Sequence, residues 1–277
     1  MPFAALFPAA RAFDTVADVF DERFGGWRSV AAQRRAVRAS LLRAFPRGSS
    51  VLELGGGTGE DAAWLAARGR DVLMTDASPA MVRVAQTKLR GGPCPLVLAA
   101  ERLDDWAATR TTAALPSFDG AFSNFAGLNC VADLAPVARG LARLVRPGGR
   151  VLLILFGTMP PGELVVQLLR GDVRAAFRRR LHGDVEARLG GREFVVRYHR
   201  PAAVARVMAP WFRLVARRGI GVFVPPSAAE PWISRQPRLL DALEALDRVV
   251  SRPLALLGDH VLYELERTAA PVPGRQS

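Results

Sequence analysis

The sequence predicts an α/β fold, a doubly wound seven-stranded sheet with helices on both faces. Three observations carry this. Short apolar runs alternate with stretches of helical periodicity from about residue 51 to residue 156, the pattern of βα units that build a parallel sheet. Residues 51–59, Val-Leu-Glu-Leu-Gly-Gly-Gly-Thr-Gly, read as a strand that turns through glycines straight into a helix, the corner that binds nucleotide-like ligands. Finally, Glu53, Asp76, Glu101 and Asn124 all fall at or just beyond the carboxyl ends of different strands, where such sheets hold ligands.

In chain order, Phe13, Val16, Phe20 and Phe24 recur near helical spacing until Gly25-Gly26 breaks them. A second helix is expected from Ser29 to Phe45 on apolar Val30, Val37, Leu41 and Leu42, and residues 46–50 turn into the first strand. The first strand, 51–54, precedes a helix over 61–68. Strand 70–75 ends in Asp76, and Ser78 can cap a helix over 79–90 with Pro79 in its first turn. There follow strand 95–99, helix 101–108, strand 118–123, helix 132–145, a Pro147-Gly148-Gly149 turn and strand 150–156. Residues 157–203 break the rhythm with a helix near 162–180 and a strand-like alternation over 192–198. Helix 202–209, strand 211–217, helix 236–250 and strand 261–267 complete the sheet. The expected divisions are therefore 1–48 (N-terminal helices), 49–156 (core), 157–203 (an insertion after the fifth strand), 204–268 (completion of the sheet) and a loose tail over 269–277.

The glycine corner selects its ligand by charge. The dinucleotide pattern G-x-G-x-x-G fails, because Glu60 stands where its third glycine belongs. Phosphate favours helix N-terminal N–H groups and cations. Here the loop carries Glu53, Glu60 and Asp61 and, along the chain, no cation before Arg68. That charge repels pyrophosphate and favours a cationic nucleoside such as S-adenosylmethionine (SAM), which has a sulfonium, an ammonium and no phosphate. Asp76, 21 residues after Gly55, is placed to accept hydrogen bonds from both ribose hydroxyls, a feature shared with NAD enzymes; its alternative is a helix cap.

At these residues the chain resembles the class I SAM-dependent methyltransferases, particularly the small-molecule enzymes of bacteria. The resemblance rests on residues 51–59, 76–81, 100–103, 118–125 and 146–153, and extends over 205–267 by pattern alone. It implies a Rossmann-like sheet of strand order 3-2-1-4-5-7-6, SAM as cofactor and S-adenosylhomocysteine as product. It also implies roles. Gly55, Gly57 and Gly59 would line the methionine and ribose part, with Glu53 beneath them near the ammonium group. Asp76 would hold the ribose, Met81 or the Ala77 backbone the adenine, and Glu101 with the Arg102 backbone the adenine amino edge. Ser123, Asn124 and Phe125 would stand beside the methionine moiety. Glu101 and Asn124 have plain alternatives as a surface helix residue and a turn residue. Gly56 replaces the Cys or Ala usual in the family and is expected to loosen the loop. The N-terminal segment would fold over SAM, making Phe13, Phe20, Phe24, Trp27 and Arg28 candidate lid residues, and 157–203 would be the acceptor-binding cap.

Methyl transfer needs a base only when the acceptor must lose a proton. His199, His260 and Tyr198 are the catalytic candidates, with His182 behind them; a structural role is the alternative for each. No metal is expected: Cys94 and Cys130 lack ligand spacing, and the acid clusters of metal-dependent catechol enzymes are absent around Asp133. Ser123-Asn124-Phe125-Ala126 also lacks the [DN]-P-P-[FYW] signature of enzymes that methylate exocyclic base nitrogens.

The 277 residues carry a net charge of +12, and of 38 basic residues one alone, Lys88, is lysine. The arginines are spread along the chain. Their densest cluster, Arg174, Arg178, Arg179 and Arg180, has no interleaved aromatics for base stacking, so a solvated helix face is expected there and nucleic acid is not an expected partner. No apolar run approaches the ~20 residues that span a bilayer, and the apolar start lacks a basic leader, so the cytoplasm is the expected compartment and stable membrane insertion is not expected. The expected partner is a small-molecule acceptor, apolar or aromatic and of the kind met in natural-product biosynthesis, with the chain a monomer or homodimer. The competing readings are an RNA- or lipid-surface methyltransferase using the arginines, and a non-catalytic interaction module that kept the fold.

Overall fold

The computed structural model describes residues 7–110, 118–125, 127–173, 177, 179 and 183–270, without the side chains of residues 110 and 166. His182 and three of the four clustered arginines (Arg174, Arg178 and Arg180) lie outside the described residues, as does the tail from residue 271.

The N-terminal part forms α1 (Pro8–Asp14), α2 (Phe20–Gly25) and α3 (Arg28–Ala44). The central part follows as β1 (Ser50–Leu54), α4 (Glu60–Ala66), β2 (Asp71–Asp76), α5 (Pro79–Lys88), β3 (Leu96–Val97), α6 (Leu103–Arg110), β4 (Phe118–Ser123), α7 (Ala135–Leu144) and β5 (Val145–Phe156). After α8 (Pro161–Leu169) come β6 (Asp184–Leu189), β7 (Arg192–Arg197), α9 (Pro201–Met208), β8 (Phe212–Ile220), α10 (Pro237–Val250) and β9 (His260–Arg267). The seven-stranded sheet runs β3-β2-β1-β4-β5-β9-β8, with β9 antiparallel to both neighbours. Counted among the sheet strands this is the expected order 3-2-1-4-5-7-6.

Burial on both faces explains why the central strands read as continuous apolar runs. On β1, Leu52 and Leu54 face one core layer while Val51 faces the other. On β5, Val151, Leu153 and Leu155 join the first layer, under α6, α7 and α9, while Leu152 and Ile154 join the second, under α3, α4 and α5. The period of two then sends Glu53, the one charged residue of β1, into the α3–α4 side.

Three local expectations change. The helix expected near 162–180 stops at Leu169 and a turn with Gly171 at φ 75° follows, a backbone state that breaks a helix cheaply only at glycine. The strand expected over 192–198 has a partner, β6, with which it makes a separate antiparallel hairpin. That partner, Asp-Val-Glu-Ala-Arg-Leu, alternates polar and apolar residues with Val185, Ala187 and Leu189 half-buried, a period-two signal left out of the expected strands. The Pro147-Gly148-Gly149 turn is a bulge within a longer β5: Phe118 pairs with Val145 and Gly120 with Arg150. The hairpin lies against α1, with the Phe13 and Phe194 ring centroids 5.8 Å apart.

Candidate active site

The carboxyl ends of β1, β2 and β4 open into a cavity of about 370 Å³, within the ordinary range for small-ligand sites. Its floor is the loop after β1. Gly55, Gly57 and Gly59 have φ of 65°, 58° and 78°, values that glycine adopts without steric penalty. The loop is stitched to β2: Gly56 N–H donates to the Thr75 carbonyl at 3.0 Å and Gly57 N–H to Asp76 Oδ2 at 2.8 Å. Asp76 Oδ1 accepts from Ser78 N–H at 2.8 Å, and Ser78 caps α5 by accepting from Met81 N–H. Burial raises Asp76 above the usual carboxylate range despite these N–H donors.

Gly56 is closely packed. A Cβ there would lie 2.5 Å from Met74 Cγ and 2.9 Å from the Glu53 carboxyl. A side chain at this position would therefore require Met74 and Glu53 to shift.

Glu53 is 2% exposed, and its Oε2 has no hydrogen-bond partner. Burial pushes its carboxyl well above the usual range, and the charges of Asp61 and Asp76 push it further; Arg34 works against them. A buried acceptor without a donor at the cavity edge is unusual in a folded protein and marks a place for a cation or an N–H donor from a ligand.

The cation-poor corner read from the sequence is corrected by α3. That helix brings Arg38 to Asp61 (2.7 Å) and Arg34 to Glu60 (3.4 Å), while Lys88 of α5 reaches Glu60 (3.1 Å) and Asp21 (2.5 Å). Asp61 also accepts from Asn124 Nδ2 at 2.7 Å, and the Asn124 Oδ1 accepts the Phe125 N–H. Asn124 thus ties the end of β4 to the start of α4 and sets Phe125 at φ 44°, with the Arg34 guanidinium 5.0 Å above its ring. Arg34 lines the cavity and was not among the residues singled out in the sequence; its contact with Glu60, 26 residues along the chain, reveals it.

The remaining candidates divide. Gly55, Gly56, Gly57, Ala77, Met81, Glu101, Asn124 and Phe125 line the cavity with Glu53 and Asp76. Burial raises the Glu101 carboxyl above its usual range. Gly59, Arg102 and Ser123 do not line it. Gly59 is the residue before α4 and faces α5, where a Cβ would meet Ala85 Cβ at 3.0 Å. Arg102 turns outward to Asp105 at 3.1 Å, and Ser123 is fully buried behind the wall. Phe13 and Phe20 line the cavity with Phe7 and Pro8; Phe24 and Trp27 stack behind them, and the Arg28 N–H is bound by Ser234.

The three catalytic candidates also stand off. His199 Nε2 lies 3.2 Å from the Leu128 carbonyl, and burial holds its pKa below the usual value. Tyr198 packs on Phe156 and beneath Arg179. His260 is buried, stacked on Phe156 with ring centroids 4.8 Å apart, and its edge meets Phe125 at 5.7 Å. It is one ring removed from the cavity, and no histidine is among the described residues that line it. Cys130 does line it, but burial, with Glu101 and Asp76 nearby, pushes its thiol up to about 12, so it stays protonated. Among the described residues no group of His, Cys, Asp and Glu could hold a metal ion.

Residues 51–149, the same stretch that builds this corner, match the methyltransferase domain family. Over this stretch the chain is similar to the class I SAM-dependent methyltransferases. The chain is 34% identical over 158 residues to demethylmenaquinone methyltransferase of Clavibacter sepedonicus, covering 55% of this chain and 59% of that one. It is 31% identical over 156 residues to the biotin biosynthesis bifunctional protein BioHC of Cellvibrio japonicus, covering 54% and 28%. The chain thus spans less than two thirds of the length of either curated relative. Among solved structures, the CcbJ methyltransferase of Streptomyces caelestis has the same fold, with a TM-score of 0.57 at 20% identity over 93% of this chain and 98% of that one.

The cavity fits SAM. Glu53 Oε2 is unpartnered for an ammonium, Arg34 is close enough to moderate Glu53 and can take a carboxylate, Asp76 stands at the end of β2 for ribose hydroxyls, and Ala77, Met81 and Leu98 give an apolar slot for adenine. No helix among the described residues is long and apolar enough to cross a membrane.

Proposed function

We propose that this protein transfers the methyl group of SAM to an O, N or C atom of a small aromatic or apolar metabolite. The observation that carries the reading is the orphaned Glu53 carboxylate at the edge of a cavity whose other wall is aromatic: Phe7, Phe13, Phe20 and Phe125. When bound, SAM supplies an activated methyl on a sulfonium that is its own leaving group.

The chain's residues then have to orient and to exclude water. Glu53 and Arg34 hold the two ends of the amino acid, Asp76 and the Gly57 loop hold the ribose, and Glu101 meets the adenine edge. The acceptor lies against Phe13, Phe20 and Phe125, which fix its ring and displace water. Such positioning is worth several kcal/mol in transfers of this kind. A histidine base is not needed in this reading, since no described histidine reaches the cavity. That favours acceptors whose reacting atom is already acidic or electron-rich, such as a phenol or an enol-like ring carbon. The relative whose name gives demethylmenaquinone as substrate agrees with this class.

Calorimetry with S-adenosylhomocysteine tests the cofactor half. Asp76→Asn keeps the shape and loses one acceptor, and is expected to weaken binding by about 1–3 kcal/mol, or roughly 5- to 150-fold. A protein that ignores S-adenosylhomocysteine yet binds NAD sinks the reading. For the acceptor half, binding of an aromatic acceptor should change little between 50 and 500 mM salt; a steep fall would point to a phosphate-rich acceptor instead.

A further inference from the structure

Two adjoining grooves lie on the outer edge of the sheet, and none of their residues lines the cavity. One, of about 510 Å³, is lined by Arg43 at the end of α3, Arg217 and Arg218 of β8, Arg252 after α10, and Glu264 of β9. The other, of about 500 Å³, is lined by Leu214, Pro253, Leu254, Leu256 and Leu257. Val215, Ala216, Arg217 and Arg252 belong to both. The pairing of β8 with β9 shifts register between Leu214 and Ala216, which turns Val215 out at the junction.

Some arginines elsewhere in the chain meet carboxylates: Arg35 with Glu244, Arg38 with Asp61, Arg139 and Arg143 with Asp104, Arg146 with Asp119. Arg43, Arg217, Arg218 and Arg252 make no ion pair among the described residues. Arg43 is bonded to Ser40 Oγ, and Glu264, the one acid of the groove, pairs with Arg150 at 3.6 Å. The Nε atoms of Arg217 and Arg218 are buried without a hydrogen-bond partner. Burial, and then the charges of Arg252 and Arg43, hold Arg218 below its usual pKa. Charges on an edge strand deter pairing with another sheet. That accounts for Arg217 or Arg218 on β8, but not for two further guanidiniums brought to the same place from a helix and a loop, nor for a leucine-lined groove left open beside them.

We propose that this edge binds an amphiphilic phosphate, its phosphate among Arg43, Arg218 and Arg252 and its apolar chain along Leu214, Leu254 and Leu256. Arginine matches phosphate geometry, and these three line one groove with a single acid, Glu264, in it. The same chemistry is offered by a free alkyl phosphate and by an anionic lipid in a bilayer. The probe is dodecyl phosphate below its micellar concentration, titrated into the full chain, with inorganic phosphate and dodecanol as the separate halves. Binding is expected to be at least 10-fold tighter for dodecyl phosphate than for either half. It should weaken at least 10-fold in Arg218→Ala and in Arg252→Glu, with S-adenosylhomocysteine affinity unchanged as proof of folding. Sedimentation with phosphatidylglycerol vesicles, against phosphatidylcholine, separates the sources. Pelleting lost in Arg252→Glu assigns the lipid, and dodecyl phosphate binding without pelleting assigns the free ligand; either supports the site. Absence of both, or binding that the two variants leave intact, overturns it, and does so without touching the cofactor site.

Discussion

Glu53 sits between the sheet and α4 with Asp61 and Asp76 nearby and no donor for one of its oxygens. Without ligand this arrangement opposes folding, because an ionised carboxylate is held in a poorly solvated place beside two other acids. Since its folded pKa is raised above the unfolded value near 4.5, its contribution to stability is complete below that value and is lost as the pH rises through the folded pKa. Glu53→Gln removes the penalty and the ligand's partner together. At pH 8 the variant is expected to unfold with about 1 kcal/mol more stability than the wild type, and to bind S-adenosylhomocysteine about 1–3 kcal/mol more weakly. Urea denaturation and calorimetry read the two quantities separately. A variant that is less stable at pH 8, or that binds as well as the wild type, would show that the carboxylate has another partner.

At the scale of elements, the cavity depends on how α1 is fastened. Asp14, its last residue, accepts from Ser78 Oγ at 2.6 Å and from Ala80 N–H at 3.0 Å, so one carboxylate joins α1 to the first turn of α5. An acid there also sits well against the helix dipole. α1 supplies Pro8 and Phe13 to the cavity wall, and Phe13 packs on Phe194 of the hairpin, so the fastening carries the aromatic wall with it. Asp14→Ala should cost about 1 kcal/mol of stability and speed amide exchange in residues 8–25 more than in β1 or β4. Uniform exchange across the chain would mean that α1 is held by its apolar contacts alone. This contact was not legible in the sequence: nothing about Asp14 distinguishes it from any surface acid until α5 is placed beside it. The same holds for Arg34 and Arg38, which the sequence puts on a helix of unknown facing. What could be read was whatever a local pattern encodes: the glycine loop, the strand-end position of Asp76, the capping by Ser78, and the alternation that orders the sheet. Gly59 was misplaced because spacing reports a turn but not which side of it meets the ligand. The histidines were overvalued because their chemistry is visible in a sequence and their burial is not.

Across the whole molecule, buried titratable groups pull stability in opposite directions with pH. Burial holds His260 and His199 below their usual value. For a base with a depressed folded pKa, stability is full above the unfolded value near 6.5 and falls as the pH drops through it, because the unfolded chain binds the proton more readily. At His260 the Asp259 charge works against burial, and Arg179, bonded to Asp259 at 2.9 Å and paired with Glu163, works with it. Burial alone would raise Asp259, yet the neighbouring charges and the Arg179 hydrogen bond keep it below the carboxylate range, so its contribution is lost only in strong acid. Glu53 and Asp76 work the other way, gaining stability as the pH falls toward their unfolded values. In the wild type the two trends overlap and mask each other between about pH 4.5 and 6.5. The Glu53→Gln background removes one of these two opposing carboxylates. There, unfolding free energy should fall from pH 7.5 to 5.5 with a slope of at most about 1.4 kcal/mol per pH unit for each histidine. Adding His260→Gln should lower that slope even if it lowers stability overall. Because a slope counts protons and not contacts, it separates titration from lost packing: a slope unchanged by His260→Gln would mean that His260 keeps its ordinary pKa in the fold.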